Sequence, residues 1–165
     1  MARALNLFGF LCCLGLLAYA GYAQLVLGLE PCPLCIFQRV GIALLGLLFL
    51  LAMVHSPRGW GARIYGVLLV LVALATIGVA ARHIWIQSQP PGTVASCGAS
   101  LGFMLQMFPP GEVIRKVLTG SGECAKVTWR LMGLTMPAWV LIASVGLGAL
   151  GALANLRPRR RIVVA

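Results

Sequence analysis

Four long apolar segments dominate this chain of 165 residues and restrict the folds that are open to it. They cover about residues 4–29, 36–54, 64–86 and 137–154, and each holds at most a few charged side chains. A helix of about 20 apolar residues crosses a bilayer and satisfies its backbone hydrogen bonds internally. With 61% hydrophobic and 10% charged residues, the chain holds more apolar surface than a soluble domain buries. The sequence therefore predicts one all-α integral membrane domain over residues 1–165, a four-transmembrane-helix bundle.

The first apolar segment has a second interpretation, a secretory signal peptide. Arg3 would supply the positive start, and Ala-Tyr-Ala at 18–20 resembles a cleavage site. The apolar run continues past that site and is longer than the roughly 7–15 residues of a signal sequence, so a membrane span is favoured. Cys12 and Cys13 lie inside this segment and are interpreted as packing residues with inert thiols.

The basic residues are distributed unequally between the predicted loops. Arg3, the turn 55–63 and the tail 155–165 hold seven Lys and Arg residues and no acid. Basic residues near span ends are retained in the cytoplasm, so we expect both termini there and the loops 30–35 and 87–136 in the periplasm. The net charge of +10 is then a topology and lipid-headgroup signal of an inner-membrane protein, and no nucleic acid is expected.

The predicted outer loop 87–136 has internal structure of its own. Residues 101–108 are too few to span a bilayer and too apolar to lie in water, which predicts a short helix in the interface plane. Cys97 and Cys124 stand on either side of that stretch. In an oxidising compartment such cysteines persist as disulfides.

A Cys-x-x-Cys pair, Cys32 and Cys35, lies between the first two spans, and Arg39 follows four residues later. This spacing lets two sulfurs meet within one turn and is typical of redox or metal sites. At a helix start the unpaired amides and the helix dipole stabilise a thiolate. Arg39 is one turn deeper, where a charge is costly unless it serves a function. A thiolate near a fixed cation suits an electron-accepting ring whose reduction builds negative charge on oxygen.

Other uses of these cysteines fit the sequence less well. A haem attachment site needs histidine directly after the second cysteine, where Ile36 stands. A four-cysteine zinc or iron–sulfur site usually has a second close pair, whereas Cys97 and Cys124 are 27 positions apart, so no metal is expected. Two structural disulfides remain an alternative, although a Cys-x-x-Cys loop is too short to add much stability.

The motif Pro-Cys-Pro-Leu-Cys-Ile-Phe-Gln-Arg at 31–39, the second cysteine pair and Met-Pro-Ala-Trp at 136–139 resemble the DsbB family of bacterial disulfide bond formation proteins. The resemblance covers essentially the whole chain. It implies a thiol:quinone oxidoreductase that reoxidises a periplasmic thioredoxin-like partner of the DsbA type. The cofactor would be ubiquinone or menaquinone, and the protein would lie in the lipid bilayer.

The resemblance also implies roles for the cysteines. Cys97 and Cys124 would form an outer redox-active disulfide, with Cys97 holding the mixed disulfide to the partner. Cys32 and Cys35 would form an inner disulfide that reoxidises the outer pair, and Cys35 would face the quinone.

Three further residues follow from the same resemblance. Arg39 would be the cation of the quinone site, and His83 would be a second quinone-site residue, although a plain interfacial histidine fits as well. Gln38 departs from relatives that carry an acid just before the arginine, which leaves the quinone type open.

Two alternatives to this function remain. One is a non-enzymatic four-span scaffold with a disulfide-braced outer loop, and the other is a homologue with a specialised partner.

Overall fold

A computed structural model describes residues 2–57, 59–90, 106–109, 111–112, 115, 122–125, 127 and 129–156. Within these residues, four helices are long and apolar enough to cross a membrane, which confirms the predicted four-helix membrane fold. The elements in chain order are α1 (Ala2–Leu25), α2 (Pro33–His55), α3 (Trp60–Gln87), α4 (Gly122–Ala125), β1 (Arg130–Leu131), β2 (Leu134–Thr135) and α5 (Met136–Asn155).

The turn between α1 and α2 differs from the sequence-based boundaries at both ends. Helix α1 ends at Leu25, before the predicted end at residue 29, because Gly28 (φ 65°) turns the chain and the Leu29 amide donates to the Ala23 carbonyl at 3.1 Å. Helix α2 starts at Pro33, three residues before the predicted start. Proline suits this first helical position because it has no amide hydrogen to leave unpaired.

The four long helices close into a ring in which α1 packs on α2, α2 on α3, α3 on α5, and α5 on α1. Each of them contributes to one buried apolar core. The outer faces are also apolar, as exposed Phe8, Leu71 and Ile142 illustrate, so these helices are hydrophobic all round, as lipid-facing helices are. The core residues are Cys13, Ile42, Leu45, Phe49, Leu69, Ala73 and Leu147.

Polar side chains close the end of the bundle where the termini lie. Asn6 of α1 and Asn155 of α5 are buried and exchange amide hydrogen bonds of 3.3 and 3.0 Å. Arg3 donates to the Ser56 hydroxyl just after α2. Buried polar groups in lipid need such partners, so these contacts fix how the first helix meets the last. The cysteine motif lies at the opposite end.

A small hairpin leads into α5. Arg130 pairs with Thr135 and Leu131 with Leu134, around Met132 and Gly133, which both have positive φ. The Trp139 indole donates to the Leu131 carbonyl at 3.3 Å and holds the hairpin on α5. The predicted interfacial stretch 101–108 lies largely outside the described residues, and the basic tail 157–165 lies wholly outside them.

Close helix packing at Gly41 gives the first prediction. A Cβ on Gly41 of α2 would overlap Thr76 Oγ1 and would lie 3.2 Å from Thr76 Cβ on α3, so side-chain rotation alone does not relieve the overlap. We expect Gly41→Ala to destabilise the protein by about 1–3 kcal/mol. Thermal unfolding of the purified protein in detergent micelles measures the change.

Gly78→Ala is the matched control. It makes the same substitution inside a long helix where nothing lies within 4 Å of the added Cβ. There we expect a neutral or slightly stabilising effect, up to about 1 kcal/mol, because alanine favours a helix over glycine. Equal losses of stability in the two variants would contradict the close approach of α2 and α3.

Candidate redox site

The two cysteines of the motif lie at the start of α2. Cys32 is the N-cap, with extended backbone (φ −65°, ψ 161°), and its Sγ accepts a hydrogen bond from the Cys35 amide at 3.4 Å. Both side chains are half-buried and their sulfurs are 3.1 Å apart. Both sulfurs therefore lie at the positive end of the helix dipole, where a thiolate is stabilised.

His83, four residues before the end of α3, lies next to this pair. It is only 2% exposed, and its Nε2 is 3.7 Å from Cys32 Sγ and 3.2 Å from the Cys124 carbonyl oxygen. A carbonyl accepts hydrogen bonds and does not donate them, so Nε2 carries the hydrogen in this arrangement. His83 thereby links the N-terminus of α2 to the segment that carries Cys124. The side chain is thus buried beside the cysteine pair, and its role at a quinone site stays a prediction.

Gln38 is the partner of the other ring nitrogen. Its Nε2 lies 3.1 Å from His83 Nδ1, and its side chain is 3% exposed. With the hydrogen on His83 Nε2, Nδ1 accepts a hydrogen bond from the Gln38 amide, so both ring nitrogens are satisfied. The sequence identified Gln38 only as a departure from an acid. The structure identifies what that position contacts.

Cys124, in α4, is 1% exposed and packs with Leu34 and Ile86. Cys32 and Phe37 pack against the same cluster. The structure therefore brings one cysteine of the outer loop next to the inner pair. Cys97 lies outside the described residues, so its predicted pairing with Cys124 stays a prediction.

Arg39 points away from His83, towards α1. It is half-buried, and its Nη1 and Nη2 donate to Gln24 Oε1 at 2.5 Å and to the Ala20 carbonyl at 3.0 Å. It follows Cys35 by four residues, one turn further along α2. Among the described residues, no carboxylate pairs with it.

Sequence reasoning missed Gln24, which fixes the Arg39 guanidinium from α1. The signal was available, because Gln24 is a lone polar residue near the end of a long apolar span. It also missed Gln87, whose Nε2 lies 3.5 Å from His83 Nε2. That pair has the i, i+4 spacing at which side chains on one helix face meet.

Together these contacts form a thiol centre. The Cys32–Cys35 pair meets the buried His83 and the Cys124 cluster, and one turn further along α2 the Arg39 guanidinium is held against α1. Thiolates exchange with disulfides at such distances once a sulfur is deprotonated. The fold and site thus define a class, multi-pass membrane proteins that carry a thiol–disulfide centre at one end of the bundle.

Comparisons with known proteins give the family. The family model described as "Disulfide bond formation protein DsbB" matches residues 2–154, and the chain belongs to this family. The Disulfide bond formation protein B of Xanthomonas campestris pv. campestris (strain 8004) is 55% identical over 146 residues, 88% of this chain and 85% of that protein.

Other relatives cover the chain almost completely. The protein of that name from Xanthomonas euvesicatoria pv. vesicatoria (strain 85-10) is 49% identical across 98% of this chain and 94% of its own length. The protein of that name from Xylella fastidiosa (strain Temecula1) is 48% identical across 96% of this chain and 92% of its own length. Membership of this family identifies the chain as a disulfide bond formation protein, with the oxidoreductase chemistry that this implies.

The packing of Cys32 against the Cys124 cluster gives the second prediction. In a Cys35→Ser, Cys97→Ser variant, mild oxidation should join Cys32 to Cys124, because these are the neighbouring thiols that remain at the site. Peptide mass spectrometry without reductant identifies the linked pair. Cys12 and Cys13, within α1, serve as internal controls and should stay unlinked to Cys124. A product in which Cys32 bonds only to a second molecule would contradict this geometry.

Proposed function

We propose that this protein is a thiol:quinone oxidoreductase of the bacterial inner membrane that reoxidises a periplasmic, thioredoxin-like disulfide donor of the DsbA type. Electrons pass from the partner to Cys97 and Cys124, then to Cys32 and Cys35, and finally to membrane quinone. The observation that carries the proposal is that the Cys32–Cys35 pair packs at the Cys124 cluster and that Arg39 follows Cys35 by one turn of α2. An electron donor and an acceptor site therefore lie near one disulfide.

The first exchange oxidises the partner. A partner thiolate attacks the Cys97–Cys124 disulfide at Cys97, forms a mixed disulfide and releases the Cys124 thiolate. The partner's second thiolate then attacks its own sulfur of that bond and releases Cys97. The partner leaves with one new disulfide, and two electrons remain on Cys97 and Cys124.

The second exchange moves these electrons inward. The Cys124 thiolate attacks Cys32 and releases Cys35 as a thiolate, after which Cys97 attacks Cys124 and releases Cys32. His83 supports this step by binding the Cys124 carbonyl beside Cys32 Sγ. Cys35 is a good leaving group because it lies in the first turn of α2, where the helix dipole stabilises negative charge.

Arg39 fits the acceptor site. Its half-buried guanidinium has no acidic partner among the described residues. Two of its nitrogens donate to Gln24 and Ala20, so other N–H groups remain to donate to a quinone oxygen. A bound quinone supplies an acceptor for two electrons and two protons. Arg39 would orient the head group towards Cys35, and the apolar outer surface of the bundle gives access from the lipid.

The proposed orientation places the cysteines in the periplasm and both termini in the cytoplasm. Arg3 and Arg63 lie at the end of the bundle opposite Cys32, as the retention of basic residues in the cytoplasm requires. The site then faces the oxidising compartment in which disulfides persist.

The experiment that tests the function measures quinone reduction by the full-length protein in nanodiscs, with a reduced DsbA-type partner as electron donor. We expect Cys35→Ser to abolish turnover, because the inner pair can no longer close its disulfide. Cys12→Ser with Cys13→Ser is the matched control and should retain the wild-type rate, since both residues only pack in α1. A Cys35→Ser protein with normal turnover, or a wild-type protein with none, would overturn the proposal.

The role of Arg39 gives a separate prediction. Arg39→Ala should raise the apparent KM for quinone by about tenfold or more, a loss of ~1.4 kcal/mol or more in binding, with a smaller effect on the KM for the partner. Arg82→Ala is the control, because Arg82 is an arginine near the same end of the bundle that lies over the Trp85 ring at 4.2 Å. If both variants shift the quinone KM equally, Arg39 has no specific role in the acceptor site.

A further inference from the structure

Three metal-ligand atoms converge at the inner cysteine pair. Cys32 Sγ, Cys35 Sγ and His83 Nε2 all lie within 4.8 Å of one another. Two thiolates and one imidazole form the ligand set that zinc and related thiophilic ions prefer. The sequence predicted no metal because it lacks a second close cysteine pair; the third candidate ligand comes instead from α3.

The distances suit a tetrahedral ion after a small adjustment. The sulfurs are 3.1 Å apart, and His83 Nε2 is 3.7 Å from Cys32 Sγ. With Zn–S bonds of about 2.3 Å and Zn–N bonds of about 2.0 Å, tetrahedral angles require about 3.8 Å between the sulfurs and about 3.5 Å between sulfur and nitrogen. The nitrogen already lies near its required distance from Cys32 Sγ, whereas Cys35 Sγ, which lies within 4.8 Å of the other ligand atoms, has to move towards the nitrogen. Both cysteines are half-buried at a helix start, where a rotation about χ1 separates the sulfurs.

Gln38 completes the surroundings of the ligand histidine. A histidine that binds a metal through one ring nitrogen donates the N–H of the other to a nearby acceptor. The Gln38 amide lies 3.1 Å from Nδ1 and, after its oxygen and nitrogen exchange places, accepts from an Nδ1–H. Nε2 then binds the metal in place of its hydrogen bond to the Cys124 carbonyl. The amide is also neutral, so two thiolates, one divalent ion and a neutral imidazole together carry no net charge. This neutrality reduces the cost of burial at the edge of a membrane.

We propose that the reduced site binds Zn²⁺, or another thiophilic divalent cation, through Cys32, Cys35 and His83, and that the bound ion holds the pair out of the disulfide cycle. On binding, the two thiols release their protons to solvent and no electron is transferred. The oxidised pair offers no thiolate and does not bind. The ion has to leave before the two sulfurs bond to each other, so it inhibits only the reduced enzyme.

Metal binding stands on the geometry alone, whereas inhibition of turnover rests on the proposed function. The binding test uses the full-length protein in nanodiscs, which is first reduced and then freed of reductant and quinone. It is titrated without oxygen with Co²⁺ as a spectroscopic probe. We expect one Co²⁺ per protein with a thiolate-to-cobalt charge-transfer band, displacement by Zn²⁺, and no band after oxidation of the pair.

Variants identify the ligands. Cys32→Ser and Cys35→Ser should each lose the charge-transfer band of the site, and His83→Ala should weaken binding at least tenfold. Gln38→Leu should weaken binding by about tenfold, because Gln38 orients the His83 imidazole. His55→Ala is the matched control. His55 is the other histidine of the chain and lies at the opposite end of the bundle, so its substitution should leave the cobalt affinity unchanged.

Absence of the band in the reduced wild type would overturn the proposal, and so would a band that survives Cys32→Ser. Unchanged affinity in a folded His83→Ala protein would also overturn it, because two cysteines alone would then suffice. If His83→Ala does not fold, Gln38→Leu provides the same test with the histidine in place, and unchanged affinity there counts against the proposal.

A separate arm measures quinone reduction with and without Zn²⁺. We expect Zn²⁺ to slow wild-type turnover and a chelator to restore it. If turnover without metal is absent, the proposed function fails while the cobalt titration still decides the site. If turnover is present but insensitive to Zn²⁺ at concentrations that saturate the reduced protein, inhibition is wrong and the function stands.

Discussion

The buried imidazole of His83 holds the functional end of the molecule together. A polar ring that is 2% exposed within an apolar bundle needs a partner for each nitrogen, because an unpaired polar group in such surroundings is costly. Its partners are Gln38 on α2 and the Cys124 carbonyl on α4. One side chain therefore ties three elements together and places Cys32 beside the segment that carries Cys124.

The rest of the bundle serves as a frame for that contact. Close approaches at Gly41, Gly148 and Gly151 bring neighbouring helices together without intervening side chains, and the Asn6–Asn155 pair closes the far end. Packing at such distances leaves little freedom for one helix to slide along another. The thiol chemistry is thus confined to one end, where half-buried sulfurs meet a helix N-terminus, while the core of the bundle stays apolar.

Much of this arrangement could be predicted from the sequence, because its signals are local. Apolar runs of membrane length gave four helices, and Cys-Pro-Leu-Cys ahead of such a run placed both cysteines at a helix start, where Pro33 favours initiation. The partners of Arg39 and His83 could not be predicted. Gln24 lies 15 residues before Arg39 and Gln38 lies 45 before His83, so each contact depends on how two helices are rotated against each other.

The positive-φ turn at Met132 and Gly133 was missed for a different reason, since methionine is an uncommon residue in that conformation. The convergence of Cys32, Cys35 and His83 could not be predicted either, because it brings together residues from two helices that are far apart in the sequence.

In the proposed function, electrons leave the protein for quinone through the Cys32–Cys35 pair. A single-turnover experiment decides whether they do. The fully reduced protein in nanodiscs receives one equivalent of ubiquinone without oxygen, the reaction is quenched with an alkylating agent, and mass spectrometry identifies the disulfide that has formed. We expect one quinone to be reduced for each disulfide formed, with Cys32–Cys35 as the earliest disulfide to appear and Cys97–Cys124 following it. A Cys97–Cys124 disulfide that forms first, while Cys32 and Cys35 remain thiols, would contradict the proposed function.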